Sequence, residues 1–335
     1  MTIYILGAFI MSFLVTSIVG KFIIPWLVKQ KAGQVIKENG PTWHMSKSGT
    51  PTMGGVMFIV GTAVSIVIFG LVAAKKGDFT HLFCFLFALV FGAIGFVDDY
   101  NKLKKKQNLG LTSGAKFALQ LLVSVVFIFI MRRYGVITAS VYIPFRQAVI
   151  PVPEVLFYIF AAFVIVGTVN AVNITDGVDG LVTGASIPVC IFFAALSFLW
   201  VSKLSLGIFA SALAGGLAGF LIYNFHPAKV FMGDTGSLFL GGAIAALAFC
   251  YEMPVILLIL GLLYVIETLS DIIQVSYYKL SHGKRVFKMA PFHHHLEMGG
   301  WTGKKWNEKE LFLLYFIVST VCAVISYLGV MNRFI

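Results

Sequence analysis

Ten apolar runs, most of them close to bilayer length, leave this chain few folds to choose from. They are Ile3–Val28, Met53–Ala74, His81–Val97, Ala115–Met131, Val152–Val169, Leu181–Val201, Leu204–Phe225, Ser237–Tyr251, Pro254–Leu280 and Leu311–Val330. A helix needs about 20 residues to cross the hydrocarbon core. In lipid every backbone N–H and C=O must be satisfied within the protein, so runs of this kind become helices. The expected fold is therefore an all-α integral membrane protein with ten transmembrane helices. One polytopic domain spans residues 1–335, with functional loops at 29–52, 98–114, 170–180, 226–236 and 281–310. The eighth run is short, and the ninth is long and carries Glu267 and Asp271. Only Ser202 and Lys203 separate the sixth and seventh runs, which predicts an antiparallel hairpin.

Composition removes the main competing class. The chain is 59% hydrophobic and 12% charged, with a mean hydropathy of +0.93, too apolar for a soluble domain. Its net charge of +11 offers no nucleic-acid site, because no soluble basic domain exists to hold one. The charge instead reports orientation. Of the 25 Lys and Arg, 18 lie in or beside the loops that follow the odd-numbered runs. Basic loops stay on the cytoplasmic side, so those loops are expected there and both termini outside. No Lys or Arg precedes Lys21, unlike a signal peptide, so the first run is expected to be retained. Cys84, Cys190, Cys250 and Cys322 all lie in apolar runs without a CxxC pair, which indicates neither a disulfide framework nor a zinc site.

The polar clusters gather on that same side. Asn170-Ala-Val-Asn173-Ile-Thr-Asp176-Gly-Val-Asp179-Gly180 joins the fifth and sixth runs. Polar groups are costly in hydrocarbon, so such a cluster marks a mouth or cavity. Asp176 and Asp179 would share a face if the turn were helical. Asp98-Asp99-Tyr100-Asn101-Lys102 ends the third run. Adjacent carboxylates repel unless a cation relieves them, and Mg²⁺ or Lys102 would do so. Phe231-Met-Gly-Asp234-Thr-Gly-Ser237 opens the eighth run and would present free backbone N–H groups to phosphate and a carboxylate to a metal. Phe231 could stack on a base. Glu267, Asp271, Gln274 and Tyr278 form one stripe at helical spacing. His293, His294 and His295 are consecutive. Neighbours on a helix point about 100° apart, so hydrogen bonding to phosphate or sugar fits them better than a shared zinc. Lys47 and Thr52 precede the second run in a Gly- and Thr-rich stretch suited to an anion, with Lys116 a second cation at that level. A secondary transporter would place its binding groups at mid-depth, open to both sides. One-sided clusters suggest interfacial chemistry between a soluble substrate and a lipid.

Taken together, TPTMGG at 50–55, DDYNK at 98–102, NAVNITDGVDG at 170–180, FMGDTGS at 231–237 and APFHHHLE at 290–297 resemble the phospho-N-acetylmuramoyl-pentapeptide transferases. The motifs around Asp98 and Asn173 are shared with the wider superfamily of polyprenyl-phosphate hexosamine-1-phosphate transferases. The histidine motif resembles the muramoyl branch and argues against a sister enzyme using UDP-N-acetylglucosamine. The resemblance implies transfer of phospho-N-acetylmuramoyl-pentapeptide from its UDP donor to undecaprenyl phosphate, giving lipid I and UMP, with Mg²⁺ required. It implies catalytic roles for Asp98, Asp99, Asp234 and His293, with Asp234 foremost among these aspartates as Mg²⁺ ligand. It implies substrate-binding roles for Lys47, Thr52, Lys102, Lys116, Asn170, Asn173, Asp176, Asp179, Asn224, Phe231, Gln274, His294 and His295. It also implies a homodimer in the bacterial cytoplasmic membrane, with the active site on the cytoplasmic face.

Overall fold

The fold is given by a computed structural model, which describes residues 1–30, 47, 49–105 and 110–334. Much of the expected loop 29–52, with Lys31, Lys37 and Ser48, and the Lys106 end of the loop after the third run lie outside the described residues. The helices are α1 (Thr2–Lys29), α2 (Gly55–Ala74), α3 (Thr80–Lys105), α4 (Ser113–Arg133), α5 (Glu154–Thr175), α6 (Leu181–Leu199), α7 (Leu204–Asn224), α8 (Gly233–Cys250), the short α9 (Leu257–Leu260), α10 (Leu262–Leu280), the short α11 (Phe292–Glu297) and α12 (Glu308–Val330). Nine of these are long and apolar enough to cross a membrane. Pro254–Leu260 and Leu262–Leu280 meet at an 81° bend and make a tenth if the pair is counted as one broken span. The expected multi-pass helical architecture is therefore present. One element goes beyond the all-α expectation. Strands β1 (Ser140–Ile143) and β2 (Ala148–Pro151) pair antiparallel between α4 and α5.

The short eighth run is the centre of the bundle. Every residue of α8 from Thr235 to Cys250 is buried, so this helix does not face lipid. Helices α2, α3, α5 and α7 pack against it. With no hydrophobic drive between helices in lipid, close packing of small residues supplies the association. Helix α1 shows the rule on its buried stripe of Ala8, Ser12, Thr16 and Gly20, which lets α2 and α7 approach. The decisive contact for the site is at Gly95 of α3. A Cβ there would come 2.0 Å from the Asp234 carbonyl oxygen. Only glycine allows α3 to lie against the start of α8, and this sets Asp98 and Asp99 beside Asp234.

The two ends of the bundle differ in chemistry. At one end the hairpin packs on the C-terminal segment. Phe145 N–H donates to the Gly329 carbonyl at 2.9 Å, and the Arg333 guanidinium sits 4.2 Å from the Tyr142 ring centroid. Arg132 makes a two-pronged contact with Glu154 there. The other end carries the carboxylates, histidines and lysines singled out above.

Candidate active site

Two helices build the aspartate cluster. The end of α3 supplies Asp98 and Asp99, the start of α8 supplies Asp234, and their oxygens come within 4.8 Å of one another. Two ammonium groups neutralise them. Lys102 Nζ lies 2.6 Å from Asp98 Oδ2, one helical turn away, and 3.1 Å from Asp234 Oδ2. Lys116 Nζ, from α4, lies 2.7 Å from the same Asp234 oxygen. Asn173 of α5 donates to Asp234 Oδ1 at 2.9 Å and to Ser237 Oγ at 2.7 Å. Asp98 Oδ1 accepts the Leu111 N–H at 2.7 Å. Asp99 has a different task. It accepts the backbone N–H groups of Asp234 and Thr235 at 3.2 and 2.9 Å and the Thr235 hydroxyl at 2.7 Å. It therefore caps α8 from a neighbouring helix, using the orphan donors of that N-terminus. This corrects one expectation: the Asp234 and Thr235 N–H groups are engaged by Asp99, not free for phosphate.

The turn between α5 and α6 separates its two aspartates. Helix α5 ends at Thr175, so Asp176 and Asp179 do not share a helical face. Asp179 is buried and fully partnered. Lys47 Nζ lies 2.7 Å from its Oδ1, while His226 Nδ1 and the Ala228 N–H each donate to Oδ2 at 2.9 Å. Lys47 also reaches Glu308 Oε2 at 2.6 Å, and that oxygen accepts the Asp179 N–H at 3.1 Å. Burial alone would raise the Asp179 carboxyl. The Lys47 ammonium, the Ala228 N–H and His226 more than offset it and hold the group below its ordinary range. The carboxylates of Asp179 and Glu308 with His226 could hold an ion, but Lys47 already supplies a positive charge between the two acids. Asp176 is the opposite case. Burial, reinforced by the negative charges of Asp234, Asp99 and Asp179, pushes its carboxyl up to about 7 against the opposing influence of His293.

The polar stripe on α10 faces the segment 281–297. Gln274 accepts the N–H groups of Val286 and Phe287 at 3.1 and 3.0 Å and donates to the Phe287 carbonyl at 3.2 Å. It is the strut of this loop. On α11 the three histidines diverge as the helical period requires. His293 reaches Glu267, with Nδ1 3.0 Å from Oε2. His294 Nδ1 lies 2.6 Å from Glu297 Oε2. His295 is enclosed by Phe287, Phe292 and Trp301 and accepts the Lys288 N–H at 3.1 Å. Burial, with the nearby Lys288 charge, holds its imidazole below the ordinary range.

The structure thus brings Asp98, Asp99, Asp234, Lys102, Lys116 and Asn173 into one cluster, with Thr52 beside Gly233 at its edge. Lys47 and Asp179 form a second cluster. Two further candidates have internal partners: Asn170 donates to Gln120 at 2.7 Å, and Asn224 accepts from Thr183 and donates to the Val230 carbonyl. Phe231 is fixed by its backbone, donating to Pro51 and accepting from Gly54. Sequence reasoning did not nominate His226 or Glu308. His226 stood in a stretch already noticed, but Glu308 sits among lysines far along the chain and nothing local distinguishes it.

Comparison with known proteins gives the chain its family. The profile of Glycosyl transferase family 4 matches residues 81–252, and phospho-N-acetylmuramoyl-pentapeptide-transferase signature 1 matches residues 47–59. The chain is 42% identical to a phospho-N-acetylmuramoyl-pentapeptide-transferase of Listeria monocytogenes over 327 residues, 97% of this chain and 98% of the relative. It is 44% identical to the protein of the same name from Carboxydothermus hydrogenoformans, over 96% of this chain and 97% of that one. A third, from Caldanaerobacter subterraneus, is 44% identical over 96% of this chain and 98% of its own length.

Proposed function

The chain belongs to the phospho-N-acetylmuramoyl-pentapeptide-transferase family and makes lipid I for peptidoglycan synthesis, and we propose that it does so from UDP-N-acetylmuramoyl-pentapeptide and undecaprenyl phosphate, at the aspartate cluster of α3 and α8. The observation that carries the proposal is the meeting of Asp98, Asp99 and Asp234 with Lys102 and Lys116. Phosphoryl transfer asks little covalent chemistry of a protein beyond positioning and charge neutralisation. The lipid phosphate has a second pKa near ~6 and is largely ionised at neutral pH, so a strong base is unnecessary. One of its oxygens attacks the phosphorus bonded to the sugar, the bond to the UMP phosphate breaks, and UMP leaves with the electron pair.

The donor set suits Mg²⁺, which takes few carboxylates and keeps positions open for phosphate. Asp234 and Asp98 would hold the ion. Asp99, with both oxygens occupied by α8 donors, aims Asp234. When bound, the ion supplies charge stabilisation for the diphosphate. Lys102 and Lys116 would share in neutralising phosphoryl oxygens there, and Asn173 keeps Asp234 oriented. Lys47, Asp179 and His226 stand nearby for the nucleotide, and Gln274 holds the histidine loop over it. The polyprenyl tail lies along the exposed apolar face of α10, where Leu269, Ile272, Ile273 and Val275 are open. The basic asymmetry of the loops supports a cytoplasmic site with both termini outside, in the bacterial cytoplasmic membrane. The family resemblance supports a homodimer.

The test is lipid I formation by purified protein from radiolabelled UDP-N-acetylmuramoyl-pentapeptide and undecaprenyl phosphate. Product should require Mg²⁺, vanish with EDTA and return on Mg²⁺ readdition. Preferred use of UDP-N-acetylglucosamine would move the protein to the sister activity. Uptake of donor into liposomes without lipid phosphate would make it a transporter.

A further inference from the structure

Glu267 of α10 and Tyr315 of α12 take no part in the chemistry described so far, yet they meet inside the bundle around His293. Glu267 is 0% exposed. Its Oε1 accepts the Tyr315 hydroxyl. Its Oε2 lies 3.0 Å from His293 Nδ1 and accepts the His293 backbone N–H at 3.3 Å. A carboxylate taken out of water is strongly unfavourable unless it is paired. Among the described residues, His293 is the ion-pair partner within 4.0 Å of Glu267. The imidazole answers that carboxylate by carrying a proton on Nδ1.

The other ring nitrogen then becomes informative. His293 is 0% exposed, and its Nε2 has no hydrogen-bond partner. It faces Gly177 in the α5–α6 turn, where a Cβ would come within 2.3 Å of it. This turn also carries Asp176, whose charge lies in the field of both His293 and Asp234. With Nδ1–H committed to Glu267, a neutral ring would show the turn a lone pair, which repels phosphate. An imidazolium shows it an N–H. A buried donor without an acceptor is a group built for an acceptor that arrives with a ligand.

We propose that Glu267 is a positioning residue, which fixes His293 as an imidazolium whose Nε2–H is held out to a phosphoryl oxygen of the donor's diphosphate, and that Tyr315 holds Glu267 in place. This rests on the reading above that the transfer takes place at the aspartate cluster, whose Asp234 lies in the same field as Asp176 of the turn. The charged and titratable groups facing the pair are Asp176 from the turn, Asp271 on α10, His294 and Glu297 on α11, and Tyr315 on α12. Gly177 is required because a Cβ there would collide with the imidazole at Nε2.

The experiment compares Glu267→Gln, His293→Gln, the double variant and Tyr315→Phe in the full-length detergent-purified protein, with kcat and KM for UDP-N-acetylmuramoyl-pentapeptide measured from pH 6 to 9.5. Glu267→Gln keeps the volume and removes the charge. It should lower kcat about 100-fold with KM within about threefold, the pattern of an interaction made in the transition state. Losing the opposite charge should move the alkaline limb of the kcat profile about one pH unit or more toward acid. The double variant should be no slower than His293→Gln alone, since two residues acting as a unit are not additive. Tyr315→Phe should lower kcat several-fold, in the same non-additive way with His293→Gln. A Glu267→Gln enzyme with the wild-type kcat and pH profile, or additive losses in the double variant, would overturn the proposal. Where Glu267→Gln is not recovered folded, the Tyr315→Phe and His293→Gln cycle decides by the same criterion. An inactive wild-type protein would refute the transferase reading itself, which separates the two failures.

Discussion

The Lys47 ammonium lies 2.6 Å from the Glu308 carboxylate across 261 positions of sequence, and the same nitrogen holds Asp179 at 2.7 Å. One cation thus ties the start of α12 and the α5–α6 turn to the loop before α2. Breaking a buried pair from one side strands a charge and costs about 3–5 kcal/mol, more than the pair contributes. Lys47→Met should therefore lower the melting temperature clearly, since it strands both acids. Glu308→Gln should lower it less, because Asp179 still balances Lys47. Thermal unfolding followed by tryptophan fluorescence in one detergent would rank them, and equal stability of Lys47→Met and wild type would contradict the arrangement.

The three clustered aspartates should separate by phenotype. Asp234→Asn and Asp98→Asn should abolish most turnover and weaken apparent Mg²⁺ affinity while the protein stays folded. Asp99→Asn should also lose thermal stability, by about 1–3 kcal/mol, because an amide cannot accept all three donors that α8 presents. Lipid I assays across an Mg²⁺ titration, paired with melting curves, make the distinction. Near-normal activity of Asp234→Asn at limiting Mg²⁺ would remove the metal assignment.

Asp176 yields a pH prediction with a definite sign. Its carboxyl is raised from the ordinary 3.8 to about 7 in the folded protein. Between those values the folded chain holds a proton that the unfolded chain has released. Its contribution is therefore fully present below pH 3.8 and is lost as pH rises through about 7. Asp176→Asn, neutral throughout, should stabilise the EDTA-treated protein at pH 8 and have little effect at pH 4.5. Equal shifts in melting temperature at the two pH values would show that the carboxyl is not perturbed.

Orientation can be read by chemical labelling. In a cysteine-free background, single cysteines at Lys76 and Arg146 should react with an impermeant thiol reagent added to intact cells. A cysteine at Lys284 should react only after the membrane is opened. All three positions are exposed, so access depends on the side of the membrane. Labelling at 284 in sealed cells would invert the topology and move the active site to the outside.

The apolar runs by themselves determined that this chain crosses a membrane many times as helices, because lipid leaves the backbone no other way to satisfy its polar groups. The local motifs likewise marked Asp98, Asp99, Asp234 and His293, since carboxylates and imidazoles next to apolar runs are rare enough to stand out. Three-dimensional packing decided what each of them does. Asp98 and Asp99 are neighbours in sequence, yet one faces Lys102 and Leu111 while the other caps α8. Asp176 and Asp179 are three apart, yet one is enclosed among like charges and the other is neutralised by Lys47. Asp99 and the Thr235 N–H that it accepts are 136 positions apart, and Asp179 and Lys47 are 132 apart. No periodicity or motif carries information over such separations; only helix contacts as close as the one at Gly95 bring those groups within hydrogen-bonding distance.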